Sequence, residues 1–583
     1  MDRNCQDCKK EFLIDSEDQA FYERMKVPLP TFCSMCRWKR RAAYRNQHKM
    51  FRVKDAFTGE IIFSLFPPES GRKVVTQEEW FSDNWNPMDY GRDYDFSKNF
   101  FEQLFELHKE VPVYNLNVKQ MVNSPYAANA SYLKNCYLLF NSNTSENCLY
   151  GNAVDVCRDS LDNSNINHCE RCYEGFWLQN CYQCYYTIMS VDCRNMWFSR
   201  DCLGCTDCFG CTNLRKASHC IFNKQYSKEE YERILGEMNL HTEAGVRAAR
   251  FASRAFWKTQ PHKYHQGLKN LNSTGNYVSH SKMVKDSYLV RDSENLRYCQ
   301  NMLVPGNKDC YDTSFWGEKT ELNYETSVCG ENSYNLKFSW DCWPNVRETE
   351  YSLHLKSSSD CFGCVGLKNA KYCILNKQYS KEDYENLVSR IKKHMDDMPF
   401  FGKDGCVYKY GEFFPIDLVP FGYNNSLAQE HFIYSKEEAE AKGYPWIEVD
   451  RGSYTITVKA ADLPESIDEV KDDILKDIIE CETCQYAFRI MPDELTFLRR
   501  ESLPLPRHCS DCRHKYRMED RLKADLYDGH CMCVGTSDET HQYQNSVSHS
   551  HGETRCEETF MTGYSPDSGA IVYCEGCYQQ ETA

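Results

Sequence analysis

Two pairs of CxxC motifs, one pair near each end of the chain, constrain the fold more than any other feature. The two motifs of a pair are separated by the same interval in both copies; the cysteines are Cys5, Cys8, Cys33, Cys36 and Cys481, Cys484, Cys509, Cys512. Four thiolates in two such knuckles form the tetrahedral ligand set of zinc, and no position is left open for water. We therefore predict one structural zinc in each copy rather than a catalytic metal.

The residues between the knuckles indicate a small, regular module. Phe12 and Ile14 predict a short hairpin, the segment SEDQAFYERM predicts a short helix, and a second helix begins at the second knuckle, in CRWKRRAAYR. This order, together with PTFCSMCR and PRHCSDCR, resembles the family of treble-clef zinc-binding domains. The resemblance implies that each copy folds around its metal.

The helix after each second knuckle is rich in arginine, at Arg37, Arg40, Arg41, Arg45, Arg513 and Arg517. Such a face is typical of contacts to the phosphates of RNA or DNA. Alternatively, the arginines offset the formal charge of about −2 on a four-thiolate zinc centre. We favour binding, because Arg40, Arg41 and Arg45 extend past the first turn. The net charge of −16 nevertheless excludes a general nucleic-acid coat.

A second cysteine module follows the C-terminal CxxC copy and predicts a third zinc site. Its candidate ligands are Cys531, Cys533, Cys556, Cys574 and Cys577, with His549 and His551 in reserve. Cys574 and Cys577 form a knuckle, Cys556 is the next choice, and the fourth ligand is Cys531 or Cys533. The equivalent N-terminal stretch, residues 59–80, has no cysteine. We expect that stretch to depend on apolar packing or on its neighbours.

The middle of the chain is a second duplication, since residues 207–232 match residues 360–385 without a gap. In the first block, cysteines recur at two regular intervals, and most follow Asn, Asp or His. Asn and Asp tolerate a left-handed corner, after which the next side chain turns inward. A short repeat of this kind is typical of a β-solenoid with stacked core cysteines.

The stretch DCLGCTDCFGC leaves three interpretations open for Cys202, Cys205, Cys208 and Cys211. They are stacked core thiols, ligands of a zinc ion, or ligands of an iron–sulfur cluster. The last cysteine spacing is one residue shorter than in the bacterial ferredoxin motif, and no proline follows. In the second block only Cys361 and Cys364 remain, which favours packing.

We predict a mainly β fold with α-helices, in which terminal treble-clef and zinc-ribbon modules flank a duplicated cysteine-rich β-solenoid with capping helices. Ser227, Ser380 and Ser435 are predicted N-caps of such helices. The predicted segments are a treble clef (1–50), a degenerate ribbon-like hairpin with linker (51–128), solenoid block 1 (129–226), a helical linker (227–274), solenoid block 2 (275–379), a mixed linker (380–475), a second treble clef (476–525) and a ribbon-like hairpin module (526–583).

The order of these parts resembles uncharacterised cysteine-rich zinc-ribbon proteins of bacterial lineages with reduced genomes. The resemblance rests on the CxxC modules, WFSDNWNPMDYGRDYDF, the repeat containing CILNKQYSKEDYE, and VYCEGCYQQE. It implies zinc binding and a repeat core, without an established activity.

We find no catalytic signature and expect a non-enzymatic, zinc-binding scaffold with a protein or nucleic-acid partner. The alternative is a redox or metal-handling protein that uses the central cysteines. No apolar leader or membrane-spanning run is visible, so we expect a cytoplasmic protein.

Overall fold

The described part of the chain is mixed α/β: it contains many short β-strands, more than half of them in the two repeat blocks, and twelve α-helices. The structure is a computed structural model that describes residues 1–448, 454–534 and 543–582. The α-helices in these ranges are α1 (Ser16–Met25), α2 (Ser34–Ala43), α3 (Gln77–Phe81), α4 (Phe100–Glu110), α5 (Lys228–Glu237), α6 (Glu243–Lys258), α7 (Lys381–Asp397), α8 (Ala428–His431), α9 (Lys436–Ala441), α10 (Pro492–Arg500), α11 (Ser510–Glu519) and α12 (Glu575–Thr582).

The chain divides into two compact units, and each combines segments that are distant in sequence. The first unit consists of Met1–Leu116, His265–Glu448 and Lys523–Leu526. The second consists of Asn117–Tyr264, Val449–Leu522 and Tyr527–Ala583. The N-terminal CxxC module therefore shares a unit with the second repeat block, and the C-terminal modules share a unit with the first block.

In the second unit, the first repeat block forms two sheets that we call the first stack (residues 127–225). All their strands except the last, Lys224–Gln225, pair in parallel with a constant register offset of 12, as in Ser164↔Phe176 and Thr206↔Ser218. One sheet contains Ala127–Ala128, Tyr137–Phe140, Leu149–Asp155, Ser164–Asn167, Phe176–Gln179 and Ile188–Val191. The other contains Tyr182–Tyr185, Arg194–Trp197, Thr206–Phe209, Ser218–Ile221 and Lys224–Gln225.

A left-handed residue recurs at every third position over most of the first stack. The φ angles are 53° at Asn135, 49° at Leu138, 51° at Asn141 and 52° at Thr144. One full register step thus contains four corners, which asparagine tolerates far better than a β-branched residue does. The residue after a corner is buried: Cys136 follows Asn135 and is 2% exposed. This is the corner geometry that the Asn-Cys and Asp-Cys dipeptides predict.

In the first unit, the second repeat block forms one sheet that we call the second stack (residues 267–378). Its parallel register offset is 12 near the C-terminal end, as in Ser359↔Lys371, but 13 or 14 in the middle, as in Tyr311↔Tyr324 and Gln300↔Ser314. Its strands are Gly267–Leu268, Gly275–Ser279, Ser287–Arg291, Gln300–Met302, Tyr311–Ser314, Tyr324–Ser327, Tyr334–Lys337, Arg347–Glu350, Ser359–Phe362, Lys371–Ile374 and Lys377–Gln378.

Both stacks end in the same way. The last parallel strand pairs with a two-residue antiparallel strand, and helix α5 or α7 follows directly. The predicted N-caps are confirmed, because the hydroxyl oxygens of Ser227, Ser380 and Ser435 each accept a hydrogen bond from the backbone N–H three residues on.

Short antiparallel hairpins occur in the two CxxC modules and in the segment that follows each of them in the chain. The CxxC modules contain Asp2–Asn4 with Glu11–Leu13, and Ile479–Glu480 with Ala487–Phe488 and Val458–Lys459. The following hairpins are Phe51–Lys54 with Ile61–Ser64, and Tyr527–His530 with Thr559–Thr562. The remaining pairs are Val74–Val75 with Val113–Tyr114, Val118–Lys119 with Ala130–Ser131, Pro261–Lys263 with Ile571–Tyr573, Ser293–Glu294 with Asn307–Lys308, and Phe400–Phe401 with Val407–Tyr408.

In the described ranges, no helix is long and apolar enough to cross a membrane.

Candidate metal centres

The four cysteines of the N-terminal CxxC module converge on one point. The sulfur atoms of Cys5, Cys8, Cys33 and Cys36 all lie within 4.8 Å of one another, and this group could hold a metal ion. Cys33 is the N-cap of α2, and its backbone N–H donates to Cys5 Sγ at 3.3 Å. Hydrogen bonds from Cys33 and then Cys36 hold the pKa of Cys5 well below its ordinary value. These hydrogen bonds favour the thiolate form of Cys5, which is the form that a metal ligand needs.

The C-terminal CxxC module repeats this geometry. The sulfur atoms of Cys481, Cys484, Cys509 and Cys512 also lie within 4.8 Å of one another. Cys509 is the N-cap of α11, and its N–H donates to Cys481 Sγ at 3.3 Å, the same contact as in the first copy. Hydrogen bonds from Cys509 and then Cys512 lower the pKa of Cys481. Both predicted cysteine tetrads are therefore assembled as groups able to hold a metal ion.

The arginines of α2 point into the protein and pair with acids of the second stack. Arg37 lies 2.8 Å from Asp312, and Arg41 lies 2.9 Å from Glu325 and 3.2 Å from Asp312. All four side chains are at most 2% exposed. The two acids, Asp312 and Glu325, lie on the neighbouring strands Tyr311–Ser314 and Tyr324–Ser327, one register step apart. Arg37 and Arg41 are about one helical turn apart, so their spacing along α2 matches the spacing of the two strands.

The same network recurs at the equivalent positions of α11. Arg513 lies 2.9 Å from Asp162, and Arg517 lies 3.3 Å from Asp162 and 3.5 Å from Glu174 of the first stack. Asp162 and Glu174 are one register step apart, and both have left-handed backbones, with φ of 54° and 52°. Each CxxC module is thus fixed to the stack of its own unit by a buried set of ion pairs.

This burial corrects the expectation of an exposed basic face for phosphate binding. Arg40 is 1% exposed and lies 3.3 Å from Glu412. Arg45 is partly buried against the ring of Phe315, and burial lowers its pKa to about 10. The six arginines named as candidate contacts are therefore interior or partly interior residues. The ion-pair partners of Arg37, Arg40, Arg41, Arg513 and Arg517 are protein carboxylates.

The C-terminal hairpin module contains two ligand groups instead of one. Cys531, Cys556, Cys574 and Cys577 form a four-cysteine group with all sulfur atoms within 4.8 Å. Cys531, one of the two alternatives, is therefore the fourth member of this group. Cys533, the other alternative, lies in a separate group with His549, His551 and again Cys577. All of these cysteines are buried.

The cysteine-free N-terminal counterpart is held together by a carboxylate. Asp55 directly follows the strand Phe51–Lys54. Cys531 directly follows the equivalent strand of the C-terminal copy, Tyr527–His530. Its side chain accepts hydrogen bonds from the N–H groups of Phe57, Thr58 and Thr76 at 2.8 to 3.0 Å. In the C-terminal copy, Cys574 N–H donates to Cys531 Sγ at 3.2 Å in the corresponding place. We expected this stretch to depend on apolar packing or on its neighbours; Asp55 adds a polar contact, because it ties the loop to the start of α3.

The central cysteines lie in the core of the first stack. Cys202, Cys205, Cys208 and Cys211 are at most 2% exposed, and Cys205 Sγ donates to the Leu214 carbonyl at 3.4 Å. Within the described ranges, these cysteines form no group of three or more with sulfur atoms inside 4.8 Å. All 34 cysteines lie in those ranges, and none forms a disulfide there. The geometry fits packed thiols better than a metal site.

Comparison with known proteins adds no functional assignment. No protein-family model, curated protein or solved structure matches the chain.

Proposed function

We propose that this protein is a non-enzymatic scaffold whose metal centres bind zinc and serve a structural role. The observation that carries the proposal is that each CxxC centre offers four cysteine ligands to one ion. Four cysteines occupy the four positions of a tetrahedral ion, so a bound metal would have no vacant position for substrate or water. Catalytic zinc sites instead keep one position open.

The spacing of the sulfur atoms supports zinc as the metal. Tetrahedral coordination at a zinc–sulfur distance of about 2.3 Å requires sulfur atoms about 3.8 Å apart. The separations are 3.8 Å between Cys8 and Cys33, and 3.6 Å between Cys484 and Cys509. Tetrahedral sulfur sites suit zinc or iron, and a colourless protein distinguishes the first from the second.

The finer fold assignments belong to the same proposal. We assign each CxxC module to the treble-clef type, because a hairpin carries the first knuckle and a helix begins at the second. We assign both stacks to the β-solenoid type, because parallel strands repeat at a nearly constant register offset around a buried cysteine and serine core. The likeness to cysteine-rich zinc-ribbon proteins of reduced-genome bacteria remains part of this proposal.

A protein partner fits the charge distribution better than RNA or DNA. The arginines that suggested phosphate contacts are ion-paired with Asp312, Glu325, Asp162 and Glu174. Nucleic-acid affinity depends on cations that are free to release counterions from phosphates, and the chain carries a net charge of −16. Filter binding at low salt should therefore show no retention of RNA or DNA. Salt-sensitive retention would refute this part of the proposal.

The structural role is tested by removing the metal. Elemental analysis of anaerobically purified protein should find zinc without iron. After chelation, hydrogen–deuterium exchange should accelerate in α2 and α11, because each helix begins at a metal ligand and a small module has little other core. The strand Thr206–Phe209 of the first stack serves as the internal control and should keep its protection. Unchanged protection of both helices in metal-free protein would contradict a structural role.

A further inference from the structure

The second ligand group of the C-terminal module has the composition of a complete metal site. Cys533 Sγ lies 3.1 Å from His549 Nδ1 and 3.2 Å from His551 Nε2. Cys577 Sγ lies 3.3 Å from the same His551 nitrogen. Two thiolates and two imidazoles form a standard tetrahedral zinc set, for which sulfur–nitrogen separations of about 3.6 Å are expected. A bound ion would widen the group by a few tenths of an ångström.

Both histidines are oriented by hydrogen bonds at the ring nitrogen that faces away from the group. His549 Nε2 lies 3.0 Å from a Glu581 carboxylate oxygen, and His551 Nδ1 lies 2.7 Å from the Thr554 carbonyl oxygen. Metal-ligating histidines nearly always have such a carboxylate or carbonyl partner, which fixes the tautomer that leaves the other nitrogen free to bind. Glu581 is itself held by Tyr543 at 2.6 Å and by Ser546 N–H at 2.7 Å. The outer contacts of a metal site are therefore already in place.

Cys577 belongs to both groups of the module. Its sulfur lies within 4.8 Å of the ligand atoms of Cys531, Cys556 and Cys574, and also within that distance of Cys533 and the two histidines. One sulfur can satisfy two tetrahedral sites only by bridging the two ions. Five thiolates, two neutral imidazoles and two divalent ions give a formal charge of about −1, against about −2 for each CxxC centre. Sharing the thiolate thus lowers the charge that the buried module must accommodate.

The histidines lie in a segment that the metal-free N-terminal counterpart lacks. In that counterpart Phe51 pairs with Ser64, so the connection between the two strands is short. In the C-terminal module Tyr527 pairs with Thr562, and this much longer connection carries His549 and His551. The N-terminal hairpin carries none of the candidate ligands, whereas the C-terminal hairpin carries five of the seven, and the two histidines of the second group lie in its longer connection.

A cavity beside the module gives metal ions access to both groups. It has a volume of about 700 Å³, and His551, Cys556, Cys574 and Cys577 contribute to its wall. The cavity reaches one or more ligands of each group, including the shared sulfur. Such a cavity offers a route by which an ion could reach cysteines that are otherwise buried.

We propose that the C-terminal module binds two divalent zinc-type ions bridged by Cys577. One ion is held by Cys531, Cys556, Cys574 and Cys577, and the other by Cys533, His549, His551 and Cys577. This inference rests on the proposed structural-zinc function and raises the expected metal content of the chain from about three ions to about four.

The test begins with the unaltered full-length protein. Plasma mass spectrometry should find about four zinc ions per chain. After replacement by cobalt(II), electron paramagnetic resonance should integrate to fewer spins than cobalt ions, because a thiolate bridge couples two of them. A content of about three ions, or a spin count equal to the cobalt content, would overturn the bridged pair. Neither measurement depends on a variant that might fail to fold.

Variants then assign the ions to their ligands. Chelator competition should release one additional zinc from Cys533→Ser and from His549→Ala, and two from Cys577→Ser. His530→Ala is the matched control, because His530 is an exposed histidine of the same module and belongs to neither group. Release of only one ion from Cys577→Ser would refute bridging. If the unaltered protein holds no zinc at its CxxC centres, the proposed function is refuted. If it holds zinc there but none at the group of Cys533, His549 and His551, only this inference is refuted.

Discussion

Replacing Arg41 with methionine tests whether the buried ion pairs hold the N-terminal metal module on its stack. Arg41 is completely buried, pairs with Asp312 and Glu325, and donates hydrogen bonds to Ser314 and Gln300 at 3.1 and 3.2 Å. Methionine retains most of the apolar stem but leaves two buried carboxylates short of a cation. Breaking a buried pair from one side typically costs about 3 to 5 kcal/mol.

The assay is hydrogen–deuterium exchange of the helix that carries the substitution. A loss of about 3 to 5 kcal/mol should accelerate exchange across α2 by roughly two to nearly four powers of ten, at about 1.4 kcal/mol per tenfold change. Because the network joins protein groups rather than zinc, the zinc content should stay unchanged. The double variant Arg41→Met, Glu325→Gln should recover part of the protection, since it removes a charge from each side.

An exposed arginine of the same module provides the control. Arg24 lies 4.0 Å from Asp309, and its side chain is 47% exposed. Surface pairs contribute about 0 to 1 kcal/mol, so Arg24→Met should change exchange by roughly fivefold or less. Equal, small effects of Arg24→Met and Arg41→Met would refute the role assigned to the buried network. Loss of zinc from Arg41→Met would instead favour compensation of the thiolates.

Three further substitutions probe other parts of the structure. Cys205→Ala should cost about 1 to 2 kcal/mol in a denaturation assay and leave a colourless, iron-free protein, and loss of a brown colour would support a cluster instead. Asp55→Ala should speed hydrogen–deuterium exchange in the strand Phe51–Lys54, because three N–H groups lose their acceptor. The expected loss of local stability is about 1 to 3 kcal/mol, and unchanged exchange would contradict the role of Asp55. Burial lowers the pKa of Lys356 to about 8, so this residue binds more protons in the unfolded than in the folded chain between pH 8 and 10.5, and it contributes a rise in stability of about 3 kcal/mol over that interval, against the opposite contribution of buried cysteines with raised pKa such as Cys310. Lys356→Met should remove that part of the rise, and the exposed-residue control Lys393→Met should retain it.

The local features of the fold could be predicted from sequence because each is specified by a few neighbouring residues. The duplicated CxxC spacing identified both cysteine tetrads, and Ser227, Ser380 and Ser435 were recognisable as N-caps. The Asn-Cys dipeptides indicated left-handed corners, but Leu138 also adopts a left-handed backbone, with φ of 49°. Intrinsic preference does not predict leucine there, because the repeating strand register imposes the conformation on it.

The long-range features could not be predicted from one sequence. The partners of Arg41 come from a distant part of the chain, and nothing near Asp312 or Glu325 marks them as its counter-ions. The arginine pattern suggested a surface because charged residues are rarely fully buried unless paired. Similarly, the sequence provided Cys533, His549 and His551 as spare ligands, but only their positions relative to Cys577 divide them into a second group.

The most direct test of the central claim is X-ray absorption at the zinc edge of the protein as purified. Fully enclosed structural centres, including the bridged pair, should give about 3.5 sulfur and about 0.5 nitrogen neighbours per zinc, with zinc–sulfur distances near about 2.3 Å. A value of about 4 sulfur neighbours would retain the structural centres and remove the histidine site. Oxygen neighbours at a substantial fraction of the zinc ions would show open coordination positions and would contradict the account.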